Sequence, residues 1–463
     1  MEWLHGFIDG LALTVSLQVF PYLLVGASVG FVVGVIPGLG GHFAMAMAIP
    51  FLYNMDTAAG IALLLGVHST VAQGGGLTAI LFSTPGTGQN AATLLDGPPM
   101  AKAGNGGIAV GAAMSACFLG AAFGALVLAF LLPLLKMLVL HVGPSEMFML
   151  CLLALSFVAA LGYEDLTRSL IAGLMGLFLS MVGLDILTDE PRFTLDLIEL
   201  YDGVPLVPVI LGLFALAEMY SLWSDQHAGA KARRRPQSGK AVHAQILQGI
   251  RTTFSKWPLV LRCSAIGSVM GTIPGLGSSA ASFVAYGHAK HSSRDKESFG
   301  EGNVEGVIGP ESANDAVEGG ALASTVAFGI PGSSSMAIAL SGFYILGLET
   351  GPQLLTHEIR FVFLMIFTVI AGNLIGTLLG IFVMNPLIRF SVLPANILVP
   401  LVVIVIFAGA YASDSSLINI VITLVFGIVG FFMKVLKYSR ASLLIGLVLG
   451  ETIEKNLYLA IQI

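Results

Sequence analysis

Apolar positions in this chain run on for long stretches. Residues 108–135, 148–161, 170–184, 205–223, 361–384, 397–411, 417–433 and 443–450 are nearly continuous in apolar side chains, and Glu218 is the one charged residue among them. A helix that crosses a bilayer needs about 20 predominantly apolar residues. The pattern therefore predicts a bundle of membrane-spanning helices.

The runs are interrupted in a repeated way. GVIPGLG at residues 34–40 returns as GTIPGLG at 271–277, with six of seven positions identical. Each half then carries a second break, FSTPGTGQNAATLLDG at 82–97 and FGIPGSSSMAIALSG at 328–342. Proline has no backbone N–H and clashes with the preceding turn, and glycine admits conformations other residues avoid, so each break interrupts a helix. The peptide groups freed there are tolerated at membrane depth only where protein buries them or water reaches them. Four breaks in two matched pairs predict a shared polar cavity within a duplicated transporter.

Composition fixes the class. With 56% hydrophobic and 10% charged residues, and a mean hydropathy of +0.89, the chain is unlike a soluble domain, in which about 25% of residues are charged. The expected fold is an all-α polytopic membrane protein built from two inverted repeats with broken or re-entrant helices. Residues 224–256 form the clearest boundary, with Lys231, Arg233, Arg234, Arg235, Lys240, Arg251 and Lys256 against Asp225 alone. The positive-inside rule makes this stretch a cytoplasmic linker, between a first membrane repeat at 1–223 and a second at 257–463. Counting spans away from it gives the repeats opposite directions and puts Arg389, Lys434, Lys437 and Arg440 in cytoplasmic loops. A basic loop in a hydrophobic chain is read as an orientation signal, with no nucleic-acid partner. The first Lys or Arg is Lys102, so the first apolar run lacks the basic start of a secretory signal and is expected to be retained. Cys117, Cys151 and Cys263 fit no metal-ligand spacing and read as packing residues, and no metal site is expected.

Candidate chemistry clusters behind the second breaks. Thr87, Gln89, Asn90 and Thr93 follow Pro85-Gly86, while Ser333, Ser334 and Ser335 follow Pro331-Gly332. New half-helices are expected there, and their free N–H groups and dipoles suit an anion. The same residue types also serve as plain N-caps at a kink. GPESANDAVEGGALAS at 309–324 carries Glu311, Asn314, Asp315 and Glu318. Carboxylates at membrane depth mark ion or proton paths, so Asn314 and Asp315 are the candidates for a coupling cation; capping of a helix in a solvated loop is the alternative for Asp315. His68 reads as a hydrogen-bonded structural histidine, Asp96 as a turn residue, and His288 and His291 as surface residues.

The stretches GVIPGLGG, AILFSTPGTGQNAATLLDGPPMAKAG, GTIPGLG, ASFVAYGHAKHSSRDKESFGEGNVEGVIGPESANDAVEGGAL and FGIPGSS occur in this order along nearly the whole chain. In these the chain resembles the large membrane subunit of tripartite tricarboxylate transporters, the TctA family. The resemblance implies a multi-pass permease of the bacterial inner membrane that works with a small membrane subunit and a periplasmic solute-binding protein to import a carboxylate. It implies no cofactor beyond a driving Na+ or H+ gradient. By position, the family's signature breaks fall on Pro37, Gly38, Gly40, Pro85, Gly86, Thr87, Pro274, Gly275, Gly277, Pro331, Gly332 and Ser333; Asn90 and Ser334 join them as candidate substrate ligands from their own chemistry. GVHSTVAQGGG and the acidic NDAVEGG depart from the family's usual pattern, which leaves the particular carboxylate and the coupling ion open. A passive anion channel is the main alternative. An intramembrane enzyme has less support, because HExxH, GxSxG and GxxxxGK[ST] are all absent.

Overall fold

The computed structural model describes residues 2–36, 39–160, 166–227, 240–273, 277–382 and 395–462. Pro37, Gly38, Pro274, Gly275, Arg389 and residues 228–239 of the basic stretch lie outside these residues. The described chain is almost wholly helical, apart from a short two-stranded hairpin that pairs Gly183 with Arg192 and Leu184 with Pro191. Six described helices are long and apolar enough to cross a membrane: Thr57–Phe82, Gly106–Val139, Leu206–Ser224, Ile359–Phe382, Asn396–Asp414 and Ile418–Val435. Trp3–Val15 and Phe20–Val35, bent by 69° at their junction, make a seventh if the pair is one span.

Polarity is turned inward. Thr57–Phe82 is the least apolar of the six spans and the most enclosed, with 94% of its central window buried against 33% for Gly106–Val139. Large apolar side chains such as Phe130, Leu401 and Ile404 stand exposed on the outside, as a lipid solvent permits.

The two halves repeat one packing unit in one register. In the first, Phe20–Val35 packs on Thr57–Phe82 so closely that a Cβ on Gly30, Gly34 or Gly74 would strike the carbonyl of Val67, Val71 or Phe31. In the second, Trp257–Thr272 packs on Glu305–Phe328, where Gly267, Gly271 and Gly320 lie against the carbonyls of Ala313, Val317 and Ser268. Small residues let helix backbones approach in this way. The helix after each first break begins on a glycine with positive φ, Gly40 at 67° and Gly277 at 65°, a conformation open to glycine at little cost. Each long helix then ends on a left-handed residue, Ser83 at φ 54° and Gly329 at φ 66°, ahead of the second break.

Beyond that break the halves differ. Ser333 caps a 12-residue helix, Ser334–Ile345, its Oγ accepting from Met336 N at 3.2 Å. The first half was expected to start a half-helix too, but forms only the three-residue turns Gly88–Asn90 and Ala92–Leu94 and then Gly97–Lys102. Gly97 and the N–H-less pair Pro98-Pro99 follow too soon for a longer helix to propagate.

The halves are also interlocked. Gly106–Val139, from the first half, lies along the second half's long helix, with Gly120 against the Ser312 carbonyl and Gly124 against that of Ala316. Ile359–Phe382, from the second half, lies along the first half's long helix, with Gly372 against Ser69 and Gly376 against Gln73. The two long helices cross antiparallel: His68 meets Glu318, whereas Gly76, two turns on, faces Glu311, two turns back. Lys240–Ser255, the described end of the basic stretch, packs on Gly106–Val139, with Ile246 against Gly111 and Gly249 against Ile108.

Candidate functional site

Two polar compartments lie inside this frame. The first is a cavity of about 230 Å³ at the first half's breaks, with Gly40, Pro85, Gly86 and Thr87 in its wall. His42 and Phe214 line it as well, as do Glu218 and Arg440. The segment Leu211–Leu216 is π-helical, and such a turn frees backbone carbonyls from the α-helical ladder. Leu213 O accepts from Arg440 Nη1 at 3.0 Å, and the Phe214 ring lies 5.5 Å from the guanidinium carbon. The same ring stacks on His42 at 5.2 Å, and His42 Nε2 hydrogen-bonds Ser334 Oγ at 2.5 Å. Glu218 accepts from both Arg440 Nη2 and Lys434 Nζ at 2.7 Å. Two cations thus share one carboxylate.

The second compartment is acidic and buried. Glu311, Asp315 and Glu318 follow one another along one face of Glu305–Phe328, each at most 5% exposed. Glu311 is surrounded by donors: Asn90 Nδ2 reaches its two oxygens at 3.2 and 3.3 Å, Cys117 Sγ lies at 3.2 Å and Thr93 supplies its hydroxyl. Asp315 Oδ2 and both side-chain polar atoms of Asn314 are buried without a hydrogen-bond partner. Atoms of Cys117, Glu311 and Asp315 lie within 4.8 Å of one another, a spacing open to a bound cation. Glu318 is paired with His68. Buried charges need opposite charge or donors close by; Asp315 has the Cys117 thiol nearby, and its Oδ2 is left without a partner.

One side-chain bond joins the compartments. Thr87, in the cavity wall, donates its hydroxyl to Asn90 Oδ1 at 2.7 Å, and Asn90 donates in turn to Glu311.

The expected site residues therefore divide. Gly40, Pro85, Gly86 and Thr87 line the cavity, Ser334 reaches it through His42, and Asn90, Asn314 and Asp315 belong to the acidic compartment. Ser333 acts as a helix cap. Gly332 packs on Ala321, and its N–H donates to Thr325 Oγ1 at 3.3 Å. Neither Pro331, Gly332 nor Gly277 lines the cavity. Pro37, Gly38, Pro274 and Gly275 lie outside the described residues.

Sequence reasoning missed His42, Phe214 and Arg440 as site residues and read Cys117 as packing. A signal existed for one member: Glu218 was the lone charge in the apolar runs, and a charge there needs a partner. Arg440, expected in a loop, has a side chain only 18% exposed because Glu218 and Leu213 hold it. Asp96 does more than turn the chain. Its Oδ1 accepts from the backbone N–H groups of Gly300, Gly302 and Asn303 at 2.8–2.9 Å, and its Oδ2 accepts from Tyr286, tying the first half's break to the hydrophilic loop of the second.

Apolar spans around a buried polar interior, with helices broken beside a small cavity, are the build of a polytopic membrane transport protein. The chain belongs to the tripartite tricarboxylate transporter TctA family, whose profile matches residues 20–445. It is 31% identical over 439 residues to the "Uncharacterized 52.8 kDa protein in TAR-I ttuC' 3'region" of Agrobacterium vitis, covering 94% of this chain and 86% of that protein. A second Agrobacterium vitis protein, from the TAR-II ttuC' 3'region, is 32% identical over 191 residues, 41% of this chain and 79% of that protein. No solved structure matches.

Proposed function

We propose that this chain is the permease subunit of a binding-protein-dependent tripartite transporter of the bacterial inner membrane. It imports a carboxylate solute on a sodium or proton gradient. A periplasmic solute-binding protein delivers the solute, and a small membrane subunit completes the complex. The substrate occupies the cavity at Gly40 and Pro85–Thr87, and the coupling cation is taken up at Asp315 and Asn314, beside Glu311.

The observation that carries this reading is the relay from Thr87 through Asn90 to Glu311. A symporter has to make occupancy of one site felt at the other, which requires a physical link between them. An inverted duplication is supported by the shared register of the two packing units and by the antiparallel crossing of the long helices. Such a pair can exchange conformations and so alternate access to a site near the midplane.

The test is reconstitution of the chain with its two partners in sealed vesicles, with uptake of a carboxylate panel measured under separate sodium and proton gradients. Accumulation above the outside concentration under one gradient supports the carrier. Equilibration alone, indifferent to either gradient, makes the protein a channel.

A further inference from the structure

We propose that Arg440 is the charge partner of the substrate's carboxylate, with Glu218 as the resident anion that braces the guanidinium. The proposal rests on the carboxylate reading above and names the residue that performs the recognition.

Charge balance comes first. Glu218 is shared between Arg440 and Lys434, and among the described residues it is the one acid in the cavity wall. Two cations against one anion leave a net positive charge at this small, partly open cavity, with Arg440 in its wall and the more exposed Lys434 outside the lining. A net positive wall favours an anion and disfavours a cation.

Geometry comes second. Arginine carries five N–H donors in a rigid fork that matches a carboxylate. The described contacts use Nη1 once, to Leu213 O, and Nη2 once, to Glu218, so the fork keeps donors for a ligand. It is also pre-aimed. The π-helical turn supplies the Leu213 carbonyl on one side and the Phe214 ring on the other. A group held this way loses little freedom when it binds, which is where preorganised sites gain affinity.

The surroundings come third. The same cavity wall includes Gly86 and Thr87 of the break and His42, itself fixed by Phe214 and Ser334. A carboxylate gripped by Arg440 would share its cavity with Thr87, the first residue of the relay to Glu311.

The experiment uses the reconstituted three-component complex with citrate, succinate and acetate as probes and inorganic phosphate as competitor. Accumulation of any probe by the wild type bears on the function reading and is scored first. For that probe, Arg440→Gln should raise KM by at least roughly tenfold, the scale of a lost charge-assisted hydrogen bond, and Arg440→Lys should recover part of the loss by returning charge without the fork. Glu218→Gln, which keeps an oxygen to accept from Arg440 Nη2 while removing a negative charge, should leave KM equal or lower. An unchanged KM in Arg440→Gln overturns the assignment and leaves the function reading standing. An equal rise in KM in Arg440→Gln and Glu218→Gln also overturns it, as the pattern of a broken brace. Phosphate competing as well as the carboxylate overturns the ligand class.

Discussion

The Thr87 hydroxyl donates to Asn90 Oδ1 at 2.7 Å, and Asn90 passes the contact on to the buried carboxylate of Glu311. Replacing Asn90 with Ala removes an acceptor on one side and a donor to Glu311 on the other. Hydrogen bonds to charged groups contribute about 1.5–3 kcal/mol, so we expect a measurable loss of thermal stability together with uptake that responds weakly to the driving cation. The check is the cation-activation curve of uptake at fixed substrate. A curve that overlays the wild type would show that the link transmits nothing.

Asp315→Asn should act on the gradient and spare the choice of solute. Asp315 is buried, its Oδ2 has no partner, and it lies beside Glu311, so it is the carboxylate best placed to accept a cation. We expect the Asn variant to lose most of its cation stimulation and to keep the wild-type order of preference among carboxylates. Competition assays against a carboxylate panel, run with and without the gradient, separate the two effects. Intact stimulation would remove Asp315 from the coupling site.

Gly34→Ala and Gly271→Ala should injure the two halves alike. A Cβ at either position runs into a backbone carbonyl, Val71 in the first half and Val317 in the second, and a helix backbone cannot swing aside as a side chain does. Overpacking of this kind costs about 1–3 kcal/mol. Melting of the purified protein in one detergent should fall by similar amounts in both variants, and a loss confined to one of them would break the proposed equivalence of the packing units.

The exposed hairpin at 183–192 offers a pH test. The backbone N–H groups of Leu187 and Thr188 hold the Asp185 carboxyl below the usual carboxylate range, with Arg192 adding to the effect. A carboxyl lowered by folding contributes stability above its unfolded value, about 3.9, and loses it as pH falls through the lowered folded value. Amide exchange at Leu187 and Thr188 should therefore stay protected at neutral pH and loosen only in acid, after allowance for the intrinsic pH dependence of exchange. Asp185→Asn should loosen both amides at neutral pH already. Equal protection in the two proteins at pH 7 would discard this account.

Much of the frame was legible in the chain because membrane spans are written in contiguous residues. The apolar run at 108–135 became Gly106–Val139, and that at 417–433 became Ile418–Val435. Glycines four apart, Gly30 and Gly34 in one half and Gly267 and Gly271 in the other, make the close helix contacts. The second breaks were visible through Pro85-Gly86 and Pro331-Gly332, but their different sequels were not, since a 12-residue helix and a chain of three-residue turns begin with similar Ser, Thr and Asn residues. The site itself was half hidden. Arg440 meets Glu218 across 222 positions and Cys117 meets Glu311 across 194, and no local pattern reports pairings of that length. The π-helical turn that frees Leu213 O left no mark in LGLFAL that sets it apart from an ordinary apolar turn.

The crossed placement of Gly106–Val139 and Ile359–Phe382 interlocks the two halves of the chain. Each central helix is clasped by an arm that belongs to its counterpart, so a tilt on one side drags on the other. Chains severed in the basic stretch should regain function only when both pieces are made together, since neither long helix keeps its packing arm without the other piece.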